Sequence, residues 1–186
     1  MSGGASASGD GVGRAFLDVS RILLCDSHLP RVVSVLDRLS PADLWWRPNP
    51  ASNSIGNLAL HLAGNLRQWV VSGVGGERDV RDREAEFGAT DDIDGAELVA
   101  LLESAVTDAV RVLERTDPAS LGAARTIQRR EVTVLEAVYH AVEHFAMHTG
   151  QILYIAKLRL GSDLGFYRME DDTPQPTWAP PGTAGT

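Results

Sequence analysis

Histidine is the residue in this chain best suited to chemistry, and three of its five histidines, His140, His144 and His148, recur at every fourth position. On a helix that spacing stacks imidazoles one turn apart on one face, where two can reach the same metal ion. Neutral imidazole lone pairs suit zinc, nickel, copper or iron, and geometry rather than affinity chooses among them. With His140 at zero and about 100° per residue, His144 falls at about 40° and His148 at about 80°. The apolar cluster of Val134, Ala141, Phe145 and Ile152 lies next to them, at about 100° to 140° on the same wheel. His144 and His148 are therefore the expected ligand pair and His140 lies at the margin. Gln151, at about 20°, is placed to orient a ligand by a supporting hydrogen bond.

The stretch His140-Ala141-Val142-Glu143-His144 also matches H-x-x-E-H, the inverted zinc-protease signature, with Glu143 as base. That reading needs an acidic ligand well downstream, where only Glu170 and the aspartates beside it remain. The wheel also turns Glu143 away from the core, which counts against a protease. A metal held by two histidines needs a third partner. His61 lies mid-helix in SIGNLALHLAGNLRQW, at the edge of the stripe formed by Leu58, Leu62, Leu66 and Trp69, with Asn65 close to it. Periodicity leaves His61 between surface and site. His28, near Pro30, is the other option and has no partner at helical spacing.

The elements that must position these residues are helical and clearly punctuated. A first stretch spans about Gly13 to Leu39, with Pro30 expected to remove one backbone hydrogen bond and kink it. Ser40-Pro41 opens a short turn around Trp45 and Trp46. Ser54 caps a second helix from Ile55 to about Ser72, stopped by Gly73, Gly75 and Gly76. Asp94 with Glu97 forms a capping box for a third helix reaching about Arg115, and Thr133 with Glu136 forms one for a fourth, reaching Leu160 before Gly161. TIQRREVT between them is a candidate extended piece. Four helices with a long middle connection predict an all-α, up-and-down-type four-helix bundle, whose sites lie between facing helices.

Composition narrows the function further. The chain has 186 residues, 44% hydrophobic and 23% charged, enough for one domain with a core. Its formal charge of −8 and lack of a basic run argue against nucleic acid. The single cysteine, Cys25, excludes an internal disulfide framework and reads as an inert small hydrophobe. No membrane span or signal peptide is recognisable, so a cytoplasmic protein is expected. Residues 1–12 read as a disordered tail, 13–165 as the bundle, and 166–186 as a Pro-rich extended tail pinned by Trp178. The loop GERDVRDREAEF, in which Arg78, Arg81 and Arg83 alternate with acids, reads as solvated and self-paired. Trp45, Trp46 and Trp69 fit either a pocket mouth or core packing. Asn57, Asn65 and Gln68 fit either a supporting shell for His61 or ordinary surface. Leu60 and Val71 on the back of the second helix suggest cover by a second subunit.

Three stretches, LWWRPNPASNSIGNLALHLAGNLRQWV, RDREAEF and AVYHAVEHFAMHTGQILYIAKL, together resemble the DinB-like superfamily, which includes the YfiT-type metal-dependent hydrolases. The likeness spans roughly residues 14 to 165. It implies a DinB-like four-helix bundle in which His61, His144 and His148 hold one divalent transition metal, zinc or nickel foremost. His140 has no ligand role by this analogy; with Gln151 and Asn65 it belongs to the supporting shell. Three nitrogen ligands leave a fourth position for a water or a thiolate. The resemblance thus implies a hydrolase, or a transferase using a low-molecular-weight thiol, acting on a small molecule, with homodimers common in the family. A second class stays open: a non-enzymatic metal-binding or stress-related bundle that works by association.

Overall fold

The computed structural model describes residues 4–91 and 93–178. Among them, four helical rods carry the core. The first is α1 (Gly4–Ile22), continued through a π-helical turn (Leu23–His28) into α2 (Leu29–Leu36). Pro30 accounts for that turn. It has no N–H to give and its ring would strike the carbonyl four residues back. The chain widens instead, and Leu29 donates its N–H to Leu24 O, five residues back. The rod is thus widened at the proline rather than broken.

Where the sequence predicts a tail over residues 1–12, the backbone is helical from Gly4. Residues 9–12 are exposed, whereas Gly13 is packed, and a Cβ there would lie 2.9 Å from Pro118 Cβ. Extending an existing helix adds one hydrogen bond per residue without a new nucleus, so a Gly/Ser/Ala stretch can prolong the rod.

The short α3 (Pro41–Leu44) is capped by Ser40, which accepts from Asp43 N. The second rod is α4 (Ile55–Leu66) with a π-helical continuation (Arg67–Val74). A further short helix, α5 (Arg83–Gly88), follows with Asp82 as its cap. The third rod is α6 (Gly95–Arg115), opened by the Asp94–Glu97 capping box. The fourth is α7 (Val134–Leu160), opened by the Thr133–Glu136 box and closed by Gly161 at φ 62°.

The first and second rods each pack principally on α6 and α7. Going round the bundle, the order is therefore first rod, α6, second rod, α7. This differs from a meander in which sequence neighbours lie side by side. Because the second rod is enclosed by α5, α6 and α7 of its own chain, Val71 is buried and Leu60 half-buried without a second subunit. Their apolar character therefore does not require a homodimer.

Two hairpins complete the fold. TIQRREVT and the two residues before it form β1 (Ala124–Ile127) and β2 (Arg130–Thr133), antiparallel with Ile127 opposite Arg130. Its turn residues Gln128 and Arg129 have φ of 52° and 63°, a left-handed conformation usually supplied by Asn-Gly. In the segment read as an extended tail, Tyr167–Glu170 (β3) pairs with Thr173–Pro176 (β4), and Trp178 lies under Arg31 at 4.8 Å. Residues 179–186 of that expected tail lie outside the described residues. No described helix is long and apolar enough to cross a membrane.

Candidate metal centre

Thr149 and the apolar residues Val134, Ala137, Val138, Ala141, Phe145, Ile152 and Ala156 face α7 into the bundle, which fixes the rotation of the helix. His144 and His148 then stand one turn apart on the side facing α4, where His61 is buried at 6% exposure. The Nε2 atoms meet: His61 Nε2 lies 3.1 Å from His144 Nε2, and His148 Nε2 lies 3.2 Å from it. Among the described residues, these three are the group of potential ligands that converges, with donor atoms all within 4.8 Å of one another.

The outer ring nitrogens explain why Nε2 is free to bind. His148 Nδ1 lies 2.6 Å from Gln151 Oε1, an acceptor, so Nδ1 carries the proton. His61 Nδ1 lies 3.0 Å from Glu86 Oε2. An unprotonated Nδ1 there would set a lone pair against a carboxylate, so again Nδ1–H donates and Nε2 keeps its lone pair. Arg81 Nη2 also comes within 2.9 Å of His61 Nδ1, but Glu86 Oε2 at 2.8 Å is its acceptor. Burial first, and the neighbouring His148 and His61 second, push His144 down to about 3. Burial also lowers His148.

Neutral imidazoles with inward lone pairs are what a transition metal requires. At metal–nitrogen lengths of roughly 2.0–2.1 Å a tetrahedral ion holds adjacent nitrogens about 3.3 Å apart. The His61–His144 and His144–His148 spacings, 3.1 and 3.2 Å, are close to that value, and the third pair lies within 4.8 Å. The donor set therefore fits the group.

Glu86 is the functional residue missing from the sequence reading, and Arg81 is the correction to it. The loop expected to be solvated and self-paired sends Arg81 inward, its side chain 3% exposed, onto a Glu86 side chain 9% exposed. Burial alone would raise Glu86; hydrogen bonds from Arg81 and His61 outweigh it and hold the carboxyl below the usual range. Asn57 holds the backbone of α5 in place, donating to Glu86 O at 3.0 Å and Ala89 O at 2.9 Å. Gln68 accepts from Arg81 at 2.9 Å.

One signal in the sequence points to Glu86. Gly64 sits inside α4, where glycine is about 1 kcal/mol worse than alanine, so something must pass close. A Cβ at Gly64 would overlap Glu86 Oε1. Gly64→Ala is therefore expected to push the carboxylate off His61 and weaken metal binding about 10–100-fold, the usual cost of losing an outer-shell partner. Chelator-competition titration checks this, and parent-like affinity would contradict it.

The remaining residues sort cleanly. His140 is not in the converging group; its ring packs 4.1 Å from Trp69 and 5.4 Å from His144. Asn65 is buried nearby with Oδ1 unpartnered. Glu143 is exposed, as its place on the wheel indicates. His28 lies elsewhere, stacked 6.2 Å from Phe145 and accepting from Arg31. Burial and then Arg31 push it down to about 4. Trp45 and Trp46 support structure: Trp45 Nε1 donates to Ile93 O at 3.1 Å, and Arg159 covers Trp46 at 4.9 Å. The half-buried Cys25 thiol is pushed up by burial and by Asp26, which suits an unreactive side chain.

Fold and site together define an all-α bundle of DinB-like architecture with a three-imidazole cluster able to hold a metal. Solved structures sharing this fold include a DinB-like protein from Bacillus cereus ATCC 10987, 15% identical, with a TM-score of 0.59 over 74% of this chain and 88% of that one. Residues 12–166 match the family described as protein of unknown function (DUF1572), and the chain belongs to that family. No curated protein matches it.

Proposed function

We propose that this protein is a metal-dependent enzyme acting on a small molecule, with one divalent transition metal, zinc or nickel foremost, held by His61, His144 and His148. The observation that carries the reading is the convergence of three Nε2 atoms whose opposite nitrogens, on two of the rings, are locked as donors to Glu86 and Gln151. When bound, the metal would supply Lewis acidity in its fourth position to a water or a low-molecular-weight thiol.

The chain's own residues do the rest. Glu86, fixed by Arg81, holds the His61 ring and makes it a stronger donor; Gln151 does the same for His148. His140 lines the same cavity as His61 and His144, with its ring 5.4 Å from that of His144, and is the side chain assigned here to accept the proton that a bound water or thiol would give up. Burial keeps it neutral and able to accept one.

The test is paired assays on protein purified without a His tag, before and after metal loading. One panel contains activated esters and amides, the other electrophiles with low-molecular-weight thiols. Metal-dependent turnover in either panel, lost in His61→Ala, is expected. A metal-replete protein silent in both would overturn the enzymatic reading in favour of a bundle that acts by association.

A further inference from the structure

Beside the three imidazoles lies a second feature, a pocket of about 280 Å³ lined by His61, Asn65 and Trp69 from the second rod, by His144 from α7, and by Arg83 and Arg130. Four buried side-chain atoms in the described residues lack a hydrogen-bond partner: Asn65 Oδ1, Trp69 Nε1, His144 Nδ1 and Thr149 Oγ1. Three of them belong to residues bordering this pocket. Asn65 and Trp69 are each only 3% exposed. Buried polar groups are normally paired, so this wall of the cavity is unusually polar for a bundle interior, and the cavity suits a polar ligand.

The charge of the rim says what kind of ligand. The chain is acidic overall, at −8, yet Arg81, Arg83 and Arg130 all border this pocket. Arg81 is engaged by Glu86. Arg83 and Arg130 have no carboxylate within ion-pair distance among the described residues. Arg83 is held 5.1 Å over the Phe87 ring, and that ring packs 4.7 Å from His61, so this cation stands beside the site. Arg130 comes from β2, next to the left-handed Gln128-Arg129 turn, and Gln128 ties that turn to the second rod through Gln68. Two unpaired guanidinium groups on separate elements facing one small cavity match the geometry of carboxylate or phosphate recognition.

We propose that this pocket binds the anionic group, a carboxylate or a phosphate, of a small-molecule substrate, with Arg83 and Arg130 as the clamp. Such a clamp gives the metal-dependent enzyme its substrate class and rests on that reading for its catalytic meaning. The binding itself can be measured apart from any activity.

The experiment is calorimetric titration of untagged protein, metal-loaded and metal-free, with benzoate, its neutral isostere benzamide, and inorganic phosphate. Benzoate or phosphate is expected to bind at least about tenfold more tightly than benzamide. Arg83→Gln and Arg130→Gln are each expected to weaken that anion about tenfold, the usual worth of a charge-assisted contact, while metal content stays at the parent level. Comparing the two anions decides between carboxylate and phosphate. Benzamide binding as well as both anions, or arginine variants binding like the parent, would overturn the proposal. If the parent takes up no metal but arginine-dependent anion binding persists, the metal reading fails and the pocket stands. Metal uptake with arginine-independent anion binding means the reverse: the metal centre stands and the clamp fails.

Discussion

Replacing Arg81 with alanine is expected to lower the free energy of unfolding by about 3–5 kcal/mol, the cost of stranding one member of a buried ion pair. For a chain of this length that corresponds to a fall in Tm of roughly 10 °C. The guanidinium grips Glu86 with two bonds, Nε to Oε1 at 2.7 Å and Nη2 to Oε2 at 2.8 Å. Its removal leaves a carboxylate that is 9% exposed with only His61 as donor. The magnitude depends on that burial, because an exposed pair would contribute less than about 1 kcal/mol.

The pH dependence has a definite sign. Glu86 is held below its ordinary value of 4.5, so its contribution is complete above that pH and is lost as the pH falls through the folded-state value. The cost of Arg81→Ala should therefore shrink in acid. The double variant Arg81→Ala/Glu86→Ala should cost less than the sum of the single changes, since it removes the stranded charge together with its partner. Urea denaturation at pH 7 and pH 4 checks all three statements. A loss below about 1 kcal/mol at pH 7 would show that the pair is solvated after all.

The second large effect concerns metal. His144→Ala is expected to abolish stoichiometric metal uptake, a loss exceeding the roughly 10–100-fold typical of outer-shell partners. His144 is central: its Nε2 is the atom that both His61 Nε2 and His148 Nε2 approach, at 3.1 and 3.2 Å. Elemental analysis after dialysis, combined with chelator competition, gives the comparison. His140→Ala is the control, expected to retain metal because its ring lies outside the converging group. Equal loss in both variants would mean that the histidines act through packing rather than ligation.

How far the sequence reaches is clearest at particular residues. Asp94, Thr133 and Gly161 mark helix ends because capping and left-handed termination are local chemistry, needing only neighbours three or four residues away. The facing of His144 and His148 is equally local, set by α7's own apolar stripe. Arg81 and Glu86 are different. A run of alternating charges is indistinguishable in sequence from a solvated loop, and what buries it is the close approach of α5 to α4 over Gly64. That contact joins two separate elements, and only the interior glycine betrays it. Periodicity likewise leaves His61 ambiguous, because its burial comes from α5 covering an edge of α4 that a helical wheel treats as margin. The Gln128-Arg129 hairpin turn escapes for the opposite reason. Its residues are poor formers of the turn they adopt, so local preference argues against what the flanking rods impose.

X-ray absorption spectroscopy of untagged, zinc-loaded protein tests most directly whether three imidazoles share one ion. The expected result is about one zinc per chain with three nitrogen neighbours at roughly 2.0–2.1 Å, reduced to non-stoichiometric background in His61→Ala. Failure to take up zinc, a sulfur neighbour from Cys25, or a spectrum unchanged by the loss of His61 would contradict it.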